Sequence, residues 1–305
     1  MGSSGSLWML LSALCFSLMT VCVKQVGGRL PIAEVVFVRA VITAALTWWL
    51  LRHAGMVPWG RRRGLLLLRG LVGSIGLLCV FSAVTLLPLA AATVLQYLYP
   101  TLTVILAWLL LGERVTYKSI LAIVLGWGGV MLVARPDALP ALPGRISSFG
   151  TATISGVLAD AGASSLPLVG VLIAIAGAVC TAIAYVTVRL LAASEHPLVI
   201  VFYYPLVAIP VSLPLVLLNP VLPTPIEWLW LLGVGIFTQL GQIGVTQGLV
   251  QLPAARATAI SYTQVGFAGL WGWWLFGESL DGRTVAGAGL ILAGCLLSLA
   301  GVRGK

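Results

Sequence analysis

The residues of this chain that could do chemistry are polar and charged side chains set inside long apolar stretches. Amides and phenols donate and accept hydrogen bonds, and guanidinium and ammonium groups bind anions, so these groups are suited to holding a ligand. Catalysis would need a nucleophile with its base or a metal cluster, and the two histidines form no such set, so no catalytic residue is predicted. The candidate ligand-binding residues are Gln96, Tyr97, Tyr99, Tyr185, Gln239, Gln242, Tyr262, Gln264, Lys24 and Arg39.

Spacing places several of these residues on common helix faces. Gln96 and Tyr99 are three positions apart, which puts them on one face of a helix. Gln239 and Gln242 have the same spacing. An amide has four hydrogen-bonding positions to satisfy, so the glutamines favour a polar cavity. For the isolated serines and threonines, hydrogen bonds between helices are the preferred interpretation.

Composition places these groups in a membrane protein. The chain is 60% hydrophobic and 8% charged, with a mean hydropathy of +1.10, whereas soluble domains carry roughly 25% charged residues. The apolar runs do not alternate with polar residues, so the predicted spans are helices rather than barrel strands. No soluble basic face for nucleic acid is present. The five cysteines fall inside apolar runs without metal-ligand spacing, so neither a metal nor another cofactor is expected.

Apolar runs near the spanning length predict an all-α polytopic fold with ten transmembrane helices. Residues 1–134 and 168–305 each hold five spans, and residues 135–167 form a Pro-, Ser-, Gly- and Ala-rich linker. Most of the 17 Lys and Arg residues, Arg69 among them, fall in segments that a cytoplasmic N-terminus would place inside, so both termini are predicted to be cytoplasmic. The predicted spans are 7–26, 32–51, 65–86, 90–111, 118–134, 168–190, 198–218, 228–250, 254–276 and 284–302.

Depth within these spans bears on the tyrosines. Tyr97, Tyr99 and Tyr262 lie roughly 10 Å or more inside their helices at 1.5 Å per residue, which disfavours an aromatic belt at the membrane surface. Tyr185 lies nearer the end of its helix, where a belt position remains an alternative. Pro100 removes a backbone donor, so a kink is predicted beside Tyr99.

Three charged residues near or inside the spans have competing interpretations. Arg39 lies roughly 10 Å into its helix and is predicted to pair with Glu34 or to face the ligand. Lys24 either reaches the membrane surface along its aliphatic stem or lines an outer mouth. Glu113 precedes Lys118 by five positions, which favours a local salt bridge in a turn over a role in the site.

The chain repeats itself at an offset of 165 residues. The stretch 87–113 matches 252–278 at residue types that chance rarely pairs, and Lys24 is matched by Arg189. The matched identities include Leu87/Leu252, Pro88/Pro253, Thr93/Thr258, Tyr97/Tyr262, Trp108/Trp273, Gly112/Gly277 and Glu113/Glu278. A five-helix unit that begins inside ends outside, so its copy enters from the opposite face. The sequence therefore predicts two inverted five-helix repeats, an arrangement typical of transporters.

Small residues predict close helix packing in the last helix of each repeat. The runs 126–129 and 287–289 are glycine-rich, which permits close approach of two helices. Packing between the two halves of one chain and packing between protomers of a homodimer both remain open.

With its repeats and the endings LLLGE at 109–113 and WLFGE at 274–278, the chain resembles the EamA family of the drug/metabolite transporter superfamily. The resemblance implies a bacterial inner-membrane protein that exports or exchanges small metabolites, often amino acids or related solutes. We therefore expect a secondary transporter of amino-acid-like, anionic or zwitterionic solutes, working by alternating access at a central cavity. Its partners would be the solute and the lipid bilayer. A lipid flippase or scramblase remains an alternative, and an integral-membrane enzyme a less favoured one.

Overall fold

The computed structural model describes residues 2–26, 29–87, 92, 95–134, 168–218, 220–276 and 282–300. The linker 135–167 lies outside these residues. All regular secondary structure in the described residues is helical, as predicted. The helices are α1 (Gly2–Val26), α2 (Ile32–His53), α3 (Arg63–Leu86), α4 (Tyr99–Leu111), α5 (Tyr117–Ala134), α6 (Leu168–Leu191), α7 (Pro197–Leu218), α8 (Pro225–Gln251), α9 (Ala254–Ser261), α10 (Thr263–Phe276) and α11 (Gly282–Ala300).

Length and composition qualify six of these helices to cross a membrane, namely α1, α2, α3, α6, α7 and α8. Helices α4 and α5 and the segment Val285–Leu297 of α11 are apolar but shorter. Helices satisfy their own backbone hydrogen bonds, which hydrocarbon requires. Large apolar side chains such as Leu109, Trp108 and Trp274 are exposed on the outer surface, as a lipid-facing surface demands. The all-α membrane fold is confirmed, and the count of ten spans stays a prediction.

The two repeats contact each other reciprocally, as two-fold-related copies must. A methyl group on Gly5 would lie 2.9 Å from the Leu252 Cγ, and one on Gly170 would lie 2.9 Å from the Leu87 Cγ. Gly170 is the counterpart of Gly5, and Leu252 that of Leu87, at the offset of 165. The second contact is therefore the first with the halves exchanged.

The same exchange holds elsewhere between the repeats. A methyl group on Gly70 would lie 2.7 Å from the Val207 Cγ2, and one on Gly235, its counterpart, would lie 2.7 Å from Cβ of Ile42. Ile42 is the counterpart of Val207. Agreement at two separated places shows a pseudo-two-fold axis between the repeats.

Loop contacts give the direction of this axis. At one end, Arg61 and Arg62 of the α2–α3 loop donate backbone N–H bonds of 2.6 Å to Glu195 in the α6–α7 loop. At the other end, Arg29 in the α1–α2 loop pairs with Glu227 at the start of α8, and this hydrogen bond raises the pKa of the Arg29 guanidinium. The α6–α7 loop is the counterpart of the α1–α2 loop but lies at the opposite end. The repeats are therefore inverted.

The glycine runs pack within the chain. A methyl group on Gly129 of α5 would lie 2.6 Å from the Gly287 carbonyl oxygen of α11, and one on Gly294 would lie 2.8 Å from the Ala122 carbonyl oxygen. Of the two alternatives left by the sequence, this seam joins the two halves of one chain. A homodimer stays a prediction.

A helix is broken at the same place in each repeat. Tyr97 and Leu98 form a turn before α4, and Tyr262 forms the turn between α9 and α10, so the predicted span 254–276 is two helices. In the first repeat Pro100 lies at the start of α4 and cannot donate to the turn before it, as predicted. Paired helix breaks in inverted repeats are a mark of transporter binding sites.

Candidate functional site

Four predicted tyrosines pack together in one group, which we call the tyrosine cluster: Tyr97, Tyr99 and Tyr262, which are buried, and Tyr185, which is half-buried. The Tyr97 and Tyr262 rings stack with centroids 5.6 Å apart, and the Tyr99 ring meets Tyr185 edge-on at 5.3 Å. These rings come from α6 and from the two helix breaks. The sequence prediction that Tyr97, Tyr99 and Tyr262 lie away from the surface is consistent with their burial.

The cluster is held by hydrogen bonds and by a glycine. The Tyr99 hydroxyl is 2.6 Å from Oγ of Ser261, and the Tyr262 hydroxyl donates to the Tyr97 carbonyl at 3.4 Å. Gly126 of α5 leaves room for the Tyr262 ring, since a methyl group there would lie 2.8 Å from Cε2 of that ring. The two repeats thus meet through side chains that fix one another.

Two contacts join counterparts and so mark the axis. Tyr97 and Tyr262 are equivalent positions, and Arg39 and Tyr204 are another such pair, each at the offset of 165. Equivalent positions of two-fold-related copies touch only near the axis. Because the repeats are inverted, this axis lies in the membrane plane, so both pairs lie near the middle of the bilayer.

Two buried arginines flank the ring of Tyr204, and we call Arg39 and Arg69 the arginine pair. They are 4% and 3% exposed. Arg39 donates to the Tyr204 hydroxyl at 2.5 Å, and its Cζ lies 5.7 Å from the ring centroid. The Arg69 Cζ lies 5.3 Å from the same centroid, and its Nη2 is 3.3 Å from Oε1 of Gln242.

Of the two alternatives for Arg39, the pair with Glu34 is wrong, and two residues of this group were not predicted. Glu34 accepts the backbone N–H of Val221 at 3.2 Å, and Arg39 donates to the phenol of Tyr204 instead of to that carboxylate. Arg69 was assigned to a cytoplasmic segment because it lies near a helix start, yet it is buried in α3. Tyr204 was missed, although it is the repeat counterpart of Arg39.

The predicted glutamines divide between two environments. Oε1 of Gln239 accepts the Thr47 hydroxyl at 3.0 Å, and its Nε2 is buried without a partner among the residues that the structure describes. Gln96 and Gln264 are half-buried; in sequence Gln96 directly precedes Tyr97, and Gln264 lies two positions after Tyr262. Several hydroxyls bond to carbonyls of their own helix, such as that of Thr103 to the Tyr99 carbonyl at 2.7 Å.

Glu113 pairs across the molecule rather than within its turn. Its carboxylate accepts Nε of Arg189 at 2.8 Å and the Ala254 N–H at 2.8 Å. Nη1 of Arg189 also donates to the Leu249 carbonyl at 2.8 Å. This Glu113–Arg189 link joins α4, α6, α8 and α9, so the predicted local salt bridge with Lys118 is wrong. Lys24 lies apart from the cluster, exposed in the last turn of α1.

Two cavities formed by described residues are not lined by these groups, although the second borders the tyrosine cluster through Leu98 and Trp127. One of about 660 Å³ is lined by loop residues that include Trp59, Glu195 and His196. Another of about 680 Å³ lies between α4 and α5 and is mostly apolar, with Trp108 and Trp127 in its lining. Neither contains the tyrosine cluster or the arginine pair, whose side chains pack on one another in this conformation.

Comparison with known proteins identifies the fold's family. The EamA-like transporter family matches residues 3–135 and 168–300, one match for each repeat. The chain belongs to the EamA-like transporter family. It is therefore a multi-pass membrane protein of a transporter family.

Several relatives of this EamA-like transporter are named as transport proteins. The pseudopaline exporter CntI, from two strains of Pseudomonas aeruginosa, is 32% identical over 297 residues, which cover 96% of this chain and 95% of the relative. Solute carrier family 35 member G1 of Homo sapiens is 29% identical over 293 residues, covering 90% of this chain and 76% of the relative. A solved crystal structure matches 97% of this chain and 96% of its own with a TM-score of 0.79, and its 21% identity shows a shared fold.

Proposed function

We propose that this EamA-like transporter is a secondary transporter that exports or exchanges small organic solutes, amino-acid-like or bearing an anionic group. The solute binds between the repeats, at the tyrosine cluster and the adjoining predicted residues. The observation that best supports this site is the stacking of Tyr97 on Tyr262. This contact brings the helix breaks of the two repeats together at the two-fold axis. A site on that axis is equivalent as approached from either membrane face, which alternating access requires.

The membrane placement follows from the same proposal. We place the protein in a bacterial inner membrane with both termini cytoplasmic, because most basic residues then lie inside. The exporter role named for the Pseudomonas aeruginosa relative supports export as the direction. In this placement, the Glu113–Arg189 link lies toward the cytoplasm and Lys24 toward the outside.

Transport is proposed to proceed by facilitated diffusion or exchange. Proton-coupled carriers commonly use an acid within the membrane, and the described residues show none at the tyrosine cluster or the arginine pair. The experiment is uptake into proteoliposomes with and without a pH gradient. Equal uptake is expected, and strong accumulation that requires the gradient would overturn this mode of coupling.

The site itself is tested by a thermal-shift screen against metabolites. A stabilising solute should lose its effect in Tyr99→Ala and in Gln242→Ala, and Tyr117→Ala, which alters a 74% exposed tyrosine of α5, is the matched control. The solute identified should then exchange across proteoliposome membranes. Stabilisation that survives both site substitutions would show that the site lies elsewhere.

A lipid flippase or scramblase is the second candidate, and one observation favours it. The cavity of about 680 Å³ between α4 and α5 is lined by apolar side chains such as Leu98 and Ile120, which suit an acyl chain. A fluorescent-lipid scrambling assay on the same proteoliposomes separates the two functions. Scrambling without solute exchange would replace the transporter proposal.

A further inference from the structure

We propose that the arginine pair is a two-anion site, so that the substrate of this transporter is a small organic molecule with two carboxylates. This inference rests on the proposed function and narrows its substrate class. The observation behind it is two buried guanidinium groups, Arg39 and Arg69, on one ring near the bilayer middle.

The charges of this pair are not neutralised by the described part of the chain. The four carboxylates among the described residues all have other partners. Glu34 accepts the Val221 N–H, and Glu113 pairs with Arg189. Glu195 accepts the N–H groups of Arg61 and Arg62, and Glu227 pairs with Arg29. A buried charge without a partner is strongly destabilising, so groups of this kind inside a membrane mark ligand sites.

The arginines also keep hydrogen-bond donors free. Nε of Arg39 and Nε of Arg69 are both buried without a partner among the described residues. Arg39 uses Nη2 on the Tyr204 hydroxyl and directs Nη1 at Sδ of Met19, 4.0 Å away, which is a weak acceptor. A guanidinium binds a carboxylate best through two parallel N–H groups, and each arginine retains donors for such a bond.

Room for these side chains is built into the scaffold. Gly73 on α3 faces both groups, since a methyl group there would collide with Nη1 of Arg69 and lie 3.1 Å from Cδ2 of Tyr204. Arg69 is therefore held against the ring by its own helix, and Arg39 reaches the ring from α2. The two guanidinium groups approach Tyr204 from different helices, which favours two separate anionic groups on the ligand.

Charge balance selects a dicarboxylate over the other solutes of the proposed class. A zwitterionic amino acid carries no net charge and would leave two positive charges near the bilayer middle. A monocarboxylate would leave one. A dicarboxylate neutralises both, and the cost of an unbalanced charge is greatest at this depth. Cation–π contact with Tyr204 lowers that cost for each arginine but adds no negative charge.

The test compares dicarboxylates with their half-amides, which have nearly the same size and one charge fewer. Succinate with succinamate and glutarate with glutaramate are two such pairs, and neither carries an ammonium group that would offset a carboxylate. The purified full-length protein is titrated by thermal shift and by calorimetry. We expect the tightest ligands to be dicarboxylates, each bound at least tenfold more tightly than its half-amide.

Two substitutions separate a binding role from a structural one. Arg69→Gln and Arg39→Gln should each weaken dicarboxylate binding at least tenfold and reduce or reverse the preference for the dicarboxylate over its half-amide. Arg39→Lys and Arg69→Lys keep the charge and should retain that preference. Arg114→Gln, at an exposed arginine, is the control. Loss of folding alone cannot reverse a preference between two ligands.

The outcomes distinguish this inference from the proposed function. If zwitterions or monocarboxylates bind most tightly and depend on Tyr99, the transporter proposal stands and the two-anion site is wrong. If the two glutamine variants keep the wild-type preference, or if no dicarboxylate binds, the two-anion site is also wrong. If no solute is exchanged and lipid is scrambled, the proposed function fails as well.

Discussion

Tyr204 serves two arginines at once. Its hydroxyl accepts a hydrogen bond from Arg39, and its ring faces the guanidinium of Arg69. The repeat would put a second arginine or a second tyrosine at this axis, because Arg39 and Tyr204 are counterparts. Divergence of the two copies has instead made a donor and an acceptor, which can bond directly.

Replacing Tyr204 with phenylalanine isolates the hydroxyl. The ring remains for Arg69, but Nη2 of Arg39 loses its 2.5 Å acceptor. A buried donor left without a partner costs about 1–3 kcal/mol, so the melting temperature should fall. Thermal unfolding in detergent measures this, with Tyr117→Phe, at an exposed ring, as the control. An unchanged melting temperature would mean that the hydrogen bond contributes nothing to stability.

Residues of the site could be predicted from the sequence only where they recur in the repeat or share a helix face through their spacing. The tyrosines were recognised because Tyr97 recurs as Tyr262 and Tyr99 lies beside it. Arg69 was not, because a basic residue near a helix start also fits the charge bias of cytoplasmic loops. The partner of Glu113 was missed because Arg189 is distant in sequence, and the nearer Lys118 satisfies the same charge rule.

At the scale of elements, the turn between α9 and α10 depends on the glycine-rich helix α5, which also forms the seam with α11. Tyr262 lies in the turn between α9 and α10, and its ring packs against Gly126 of α5. Most helices could be predicted from apolar length, and most of their predicted ends lie within a few residues of the observed ones. The second break could not, because position 265 is Val where the first repeat has Pro100.

A substitution in the seam tests this dependence. Gly126→Ala would place a methyl group 2.8 Å from the Tyr262 Cε2, so the ring or α5 must move, at a cost of about 1–3 kcal/mol. The matched control is Gly128→Ala on the same helix, where the methyl group would lie 3.6 Å from Cδ1 of Leu290, an ordinary contact. Thermal unfolding should show a lower melting temperature for the first variant alone. Equal melting temperatures would contradict the packing of Tyr262 on α5.

At the scale of the whole molecule, the inverted repeats pack their helices symmetrically, but the polar residues at equivalent positions differ between the repeats. Gly5 and Gly170 pack alike, and so do Gly70 and Gly235. In contrast, Arg69 corresponds to Val234, and Gln242 to Leu77. Symmetric packing gives two conformations of similar free energy, and asymmetric polar groups allow a ligand to favour one of them.

The Glu113–Arg189 link is the clearest place to shift that balance. It joins four helices at the end of the molecule that holds the loop 54–62. Glu113→Gln removes the ion pair, and hydrogen bonds to charged groups contribute about 1.5–3 kcal/mol. We expect this end to open more often, which raises hydrogen–deuterium exchange in peptides covering 186–191 and 248–256. Arg114→Gln, next in sequence and exposed, should leave exchange unchanged.

The opposite end of the molecule supplies the decisive comparison for this variant. The Arg29–Glu227 pair and the bond from Val221 N–H to Glu34 hold that end independently of Glu113. If the two ends alternate, opening one favours closure of the other, so peptides covering 29–34 and 220–227 should exchange no faster than in wild type. Faster exchange at both ends would indicate general destabilisation, and no change at either would show that the Glu113–Arg189 link does not control opening.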